Sequence, residues 1–81
     1  EYIDITIKEF ELLSFFMRNK HAIQSRDQII TAVWGINYEG SDRVVDSLVK
    51  KLRLKLKGAS DYIHTAYGMG YYFELPVKET A

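Results

Sequence analysis

Residues Asp42–Lys57 read DRVVDSLVKKLRLKLK. Val45, Val49, Leu52 and Leu56 recur at helical spacing. At about 100° per residue these four fall within roughly a 60° arc, the buried stripe of an amphipathic helix. Ser41 or Asp42 is placed to cap this helix and Gly58 to end it. Arg43, Ser47, Lys50, Lys51 and Leu54 point away from the stripe, and Val44 and Leu48 lie at its margin. The segment carries six of the chain's eleven basic residues and two acids, although the whole chain has a net charge of zero. The charge is segregated: the residues before this segment and those after it are each net acidic.

Downstream, YIHTAYGMGYYFEL (Tyr62–Leu75) reads as two strands around a Gly-Met-Gly turn, closed by Pro76. Upstream, YIDI (Tyr2–Ile5) alternates as a short strand does. Thr6 and Glu9 have capping-box spacing, and Phe10, Leu13, Phe16 and Met17, widened by Leu12 and Phe15, predict a helix ending near Asn19. HAIQ (His21–Gln24) is a link or a brief strand. Ser25 and Gln28 repeat the capping box, and Ile29, Ile30, Val33 and Trp34 predict a second helix that Gly35 stops. Gly35–Asp42, GINYEGSD, has no apolar period and is a loop. Three helices followed by a hairpin make an α+β chain on the winged helix-turn-helix plan.

Eighty-one residues form one small domain, and 47% hydrophobic residues suit a globular chain. No apolar run is long enough to span a membrane, no signal peptide is visible, and there is no cysteine. These features fit a cytoplasmic protein. The chain begins Glu1-Tyr2-Ile3, and we read it as a piece of something longer.

A helix of this width fits a major groove. Its cations would neutralise phosphates, while Val44, Ser47, Leu48 and Lys51 would meet base edges or thymine methyl groups. The plainer reading is a solvated lysine face. A third is a protein-docking face anchored by Leu48, Leu54 and Tyr67. An enzyme is not expected: no nucleophile is paired with a base, and no cofactor loop is present. Neither His21 nor His64 has a second ligand at metal spacing, so neither a metal nor a cofactor is expected. Trp34 reads as a core residue at a helix end. Asp46 reads as a partner of Arg43 or Lys50, and Arg26 as either a salt bridge or a phosphate contact.

Four strings carry a resemblance: TIKEFELL (Thr6–Leu13), SRDQIITAVWG (Ser25–Gly35), DRVVDSLVKKLRLKL (Asp42–Leu56) and TAYGMGYYF (Thr65–Phe73). In order and spacing they resemble the DNA-binding effector domain of OmpR/PhoB-type response regulators, the output half of two-component phosphorelay systems. The resemblance implies sequence-specific binding of double-stranded DNA, with a recognition helix at 42–57 and a wing at 63–73. By position, Arg43, Lys50 and Arg53 would hold phosphates, and Lys51 would lead base reading beside Ser47 and Leu48. Arg26, the backbone around Trp34, Thr65 and Tyr71 would add backbone contacts, with Tyr67 on the wing.

The same resemblance implies a homodimer on direct-repeat half-sites and contact with RNA polymerase through loop 35–41. It also implies an upstream receiver domain. Family members carry a small antiparallel sheet ahead of the first helix, of which Tyr2–Ile5 would be the last strand. Its loss predicts exposed strand edges, lower stability and strand exchange. Three departures stand out. Tyr67 occupies a wing position that is often Arg, Leu48 one that is often His, and Lys50 and Lys51 replace common arginines. They predict weaker intrinsic affinity and greater reliance on dimerisation.

Overall fold

The computed structural model of the chain describes residues 4–56 and 61–75. Helix α1 is Ile7–Arg18, and both halves of its capping box are formed. Glu9 N–H donates to Thr6 Oγ1 at 3.2 Å, and Thr6 N–H donates to Glu9 Oε1 at 2.8 Å. Asn19 closes the helix, its backbone N–H and its side-chain amide both reaching the Phe15 carbonyl. Helix α2 is Arg26–Val33, opened by the Ser25–Gln28 capping box. Gly35 follows at φ 105°, a left-handed conformation that glycine adopts without strain. Helix α3 is Arg43–Leu56. Arg43 N–H donates to Ser41 Oγ at 3.1 Å and Val45 N–H to the Asp42 carbonyl at 3.1 Å, so Ser41 and Asp42 share the start of the helix.

Strands β1 (Ile63–Ala66) and β2 (Gly70–Phe73) pair antiparallel, Ile63 opposite Phe73 and Ala66 opposite Gly70. The other edge of β2 is occupied. Gln24 and Tyr71 exchange backbone hydrogen bonds at 2.7 and 2.9 Å, and His21 N–H donates to the Phe73 carbonyl at 2.8 Å. The brief strand expected at His21–Gln24 is thus a single bridge, and it covers a strand edge expected to be exposed. Gly70, at φ 139°, permits this docking, because a Cβ there would strike the Gln24 carbonyl.

The core joins Leu12 and Phe16 of α1, Ile29 and Val33 of α2, Val45, Leu48, Val49 and Leu52 of α3, and Ile63, Tyr71 and Phe73 of the hairpin. Two expected faces shift. On α1, Phe10 and Met17 are exposed, and the buried line is Glu9, Leu12 and Phe16. Glu9 turns inward to meet Lys55, and Phe10, one residue or about 100° further round, is carried outward. On α3, Leu48 is 8% exposed and belongs to the core rather than to its margin, while Leu56 is half-buried. The strand expected at Tyr2–Ile5 falls partly outside the described residues, and Asp4 and Ile5 join no strand. Gly58 and Pro76 also lie outside them.

Candidate nucleic-acid interface

The wide stripe Val45–Leu48–Val49–Leu52 fixes the rotation of α3 about its axis, and its opposite face is left to solvent. Arg43, Ser47, Lys50, Lys51 and Leu54 are all exposed there, and Val44 is half-buried beside them. Among the described residues none of Arg43, Lys50 and Lys51 has a carboxylate within ion-pairing distance.

The other cations of the helix turn inward. Arg53 donates from Nη2 and Nε to the Ile63 carbonyl at 2.7 and 3.1 Å, and from Nη2 to Thr65 Oγ1 at 3.1 Å. Its guanidinium also lies 5.8 Å from the centre of the Tyr71 ring. Arg53 therefore rivets α3 to β1 and occupies an outward strand carbonyl, which further blunts the hairpin edge. Lys55 donates at 2.8 Å to Glu9 Oε1, and Glu9 is 2% exposed.

Arg26 and Tyr71 converge on one carboxylate. Arg26 binds Asp46 in bidentate fashion, Nε to Oδ1 and Nη2 to Oδ2, each at 3.0 Å. Tyr71 OH donates to Asp46 Oδ1 at 2.5 Å. The expected partners of Asp46, Arg43 and Lys50, are replaced by these two. One carboxylate thus ties the first turn of α2, the first turn of α3 and strand β2 together. Burial pushes the Asp46 carboxyl upward, but hydrogen bonds from Arg26 and Tyr71 outweigh it and hold the group below its ordinary range. The Tyr71 hydroxyl is pushed up by burial and by the charge it faces. The Glu9 carboxyl is lowered by the hydrogen bond from Lys55, then by that from Thr6, against its burial.

Two expected outcomes follow. Asp46→Ala leaves the Tyr71 hydroxyl without its partner and costs about 1–2 kcal/mol, read as a lower urea midpoint. Arg26→Ala acts less, because the tyrosine bond survives; equal midpoints for wild type and Asp46→Ala would contradict the clamp. The second concerns acid. Glu9 and Asp46 have folded pKa values below their unfolded ones, so the folded state binds fewer protons. Their contribution is complete above the unfolded carboxylate value and is lost as the pH falls through the folded one. The urea midpoint is therefore expected to hold between about pH 7 and about pH 5 and to drop below about pH 4. A midpoint flat to about pH 3 would contradict it.

Trp34 is half-buried at the end of α2, packed against the core, with the Tyr38 ring 5.9 Å away. Lys8 Nζ lies over the ring, 5.7 Å from its centre, and donates to the Val33 carbonyl at 2.9 Å. Lys8 and Trp34 thereby border one hollow with Arg43, Ser47 and Lys51. No local sequence signal marks Lys8, because its partner lies 25 residues away. On the far side of α3, Lys50 and Leu54 share a groove with His64, Tyr67 and Tyr72 of the hairpin. Tyr67 is 91% exposed at the tip, Thr65 is half-buried, and His64 stacks on Tyr72 at 4.8 Å.

Of the residues singled out from sequence, Arg43, Val44, Ser47, Lys50, Lys51 and Tyr67 therefore border the open face of α3 and its flanks. Leu48, Arg53 and Tyr71 are drawn into packing or internal hydrogen bonds, and Arg26 into an ion pair. Among the described residues no group of three or more His, Asp or Glu side chains converges as metal ligands, and no helix is long and apolar enough to cross a membrane.

The family model described as "Transcriptional regulatory protein, C terminal" matches residues 1–73. The transcriptional regulatory protein CssR of Bacillus subtilis is 46% identical over 69 residues, which cover 85% of this chain and 30% of CssR. The chain thus spans about a third of the length of the curated relatives it matches. The crystal structure of the CssR DNA-binding domain superposes with a TM-score of 0.80 at 44% identity, covering 88% of this chain and 78% of that one. The DNA-binding domain of Klebsiella pneumoniae RstA, solved in complex with the RstA box, gives a TM-score of 0.79 at 30% identity, covering 91% and 76%. Three helices and a two-stranded hairpin in this arrangement are a winged helix. The chain belongs to the OmpR/PhoB-type family of transcriptional regulatory protein C-terminal domains, which bind DNA and are not enzymes.

Proposed function

We propose that the chain binds double-stranded DNA sequence-specifically, as the effector domain of a bacterial two-component transcription regulator. Helix α3 lies in the major groove and the β1–β2 wing lies alongside. The observation that carries this reading is the sorting of cations. Arg26, Arg53 and Lys55 are committed to internal partners, whereas Arg43, Lys50 and Lys51 share one exposed face and have no ion-pair partner among the described residues. Arg43 and Lys50 neutralise phosphates, and Lys51, a cation inside the groove, releases counterions as well. Ser47, Lys51 and the exposed part of Val44 face the base edges. Thr65 and the backbone around Trp34 add contacts at the flanks, while Leu48, Arg53 and Tyr71 act from behind by holding α3 and the wing at a fixed angle.

In the same reading, two copies occupy direct-repeat half-sites, and phosphorylation of an upstream receiver domain in the cytoplasm promotes their pairing. Loop 35–41, where Ile36 is 83% exposed, meets RNA polymerase. The experiment is selection of bound duplexes from a random-sequence pool, followed by affinity measurements across a salt series. Enriched direct repeats and a steep fall of affinity with salt are expected. Salt-insensitive binding with no enrichment would overturn the proposal and favour a protein-docking face.

A further inference from the structure

We propose that the wing tip is a neutral wedge, with Tyr67 and Met69 entering the minor groove and disturbing base stacking there. This rests on the DNA-binding reading above. Residues 61–75 contain no Lys or Arg, and the charges they do carry, Asp61 and Glu74, are acidic. The hairpin therefore cannot grip phosphates ionically or be drawn by the negative potential of a narrow A·T groove.

What it presents instead is apolar. Tyr67 is 91% exposed and Met69 62%, and they flank Gly68, whose φ of 80° makes the tight turn. The tip is stiffly held. Met69 N–H donates to the Ala66 carbonyl at 2.8 Å, Ala66 pairs with Gly70, and Gly70 is docked on Gln24. Such a tip keeps its side chains out in solvent at little further entropic cost on binding. Tyr67 borders the same groove as Lys50, whereas Met69 borders a separate hollow with Arg26 and Asp46, so the tip adjoins the cationic face of α3 through Tyr67 and engages the same duplex. Apolar side chains that enter a minor groove part base steps and kink the helix, and aromatic rings stack on the exposed bases.

The neutral tip makes a distinctive prediction: its share of the affinity is independent of salt. The test compares the wild-type chain with Tyr67→Ser/Met69→Ser, Tyr67→Arg and Lys50→Ala/Lys51→Ala. Duplexes are selected from a random-sequence pool and carry 2-aminopurine at the steps flanking the selected site. The Tyr67→Ser/Met69→Ser chain is expected to bind about tenfold more weakly at every salt concentration, with the salt slope unchanged. The 2-aminopurine fluorescence rise seen with wild type should disappear. Tyr67→Arg should steepen the slope by about 1, and the lysine pair should flatten it by about 2. If the lysine pair behaves so but the tip variant binds like wild type with the fluorescence rise intact, the wedge alone is overturned. A tip variant that loses affinity together with salt slope overturns it as well. Absence of binding by wild type at low salt overturns both proposals.

Discussion

Lys50→Ala with Lys51→Ala lowers affinity for duplex DNA by roughly 50-fold at about 0.1 M salt and reduces the salt slope by nearly 2. Each cation brought into the field of the phosphates, Lys50 at the backbone and Lys51 within the groove, contributes about 0.9 to that slope, and two lost cations at this salt correspond to nearly two decades of affinity. Both side chains are exposed and free of acidic partners among the described residues, so the substitution removes no internal contact. Folding stability should change by less than about 0.5 kcal/mol, which separates a binding defect from a folding one. The contrast is Arg53→Ala. Arg53 holds the Ile63 carbonyl and Thr65, so its loss should loosen the wing and lower stability, with a smaller change in slope than a free cation gives. Fluorescence anisotropy titrations at several salt concentrations, paired with urea melts, check both. An unchanged slope in the lysine double variant would contradict the assignment of α3 as the phosphate-facing element.

Lys55→Met is expected to destabilise the fold by about 2 kcal/mol, a fall of about 10 °C in melting temperature for a domain of this size. Glu9 is 2% exposed and accepts from Lys55 Nζ and from Thr6 N–H through the same oxygen. Removing the cation leaves a buried carboxylate that must either stay charged without its partner or take up a proton. Losing one member of a buried pair costs about 3–5 kcal/mol when both are enclosed. The Lys55 side chain is 37% exposed, so water reduces the penalty here. Glu9→Gln with Lys55→Met should recover most of the loss, since glutamine keeps the capping box and neither residue then carries charge. A double variant no more stable than Lys55→Met would show that packing, not the uncompensated charge, sets the cost.

The parts of this fold legible in the sequence were those written locally. Thr6–Glu9 and Ser25–Gln28 mark two helix starts at three-residue spacing, and both boxes form as read. The glycines around Met69 announce the hairpin turn, and the period of two separates inward Tyr71 and Phe73 from outward Tyr72. What stayed hidden depends on partners distant in sequence. Asp46 meets Arg26 from 20 positions away and Tyr71 from 25, and Lys55 meets Glu9 from 46. Local periodicity carries no record of such pairs, so the internal hydrogen bonds of Arg53 and Tyr71 leave no trace in it. On α1, six apolar residues between Phe10 and Met17 leave the buried arc ambiguous, and only the inward pull on Glu9 selects it. Leu48 reads as marginal because four aliphatic positions already make a sufficient stripe. The core takes a wider arc than that minimum.

Whether α3 and the wing tip form the DNA-facing surface is tested by a map of backbone amide chemical shifts as the chain is titrated with a selected duplex. The largest changes are expected along Arg43–Leu54 and at the wing tip, Tyr67–Met69, with the exposed face of α1 at Ile7, Phe10 and Met17 undisturbed. Changes centred on that α1 face, with Lys50, Lys51 and Tyr67 unmoved, would contradict it.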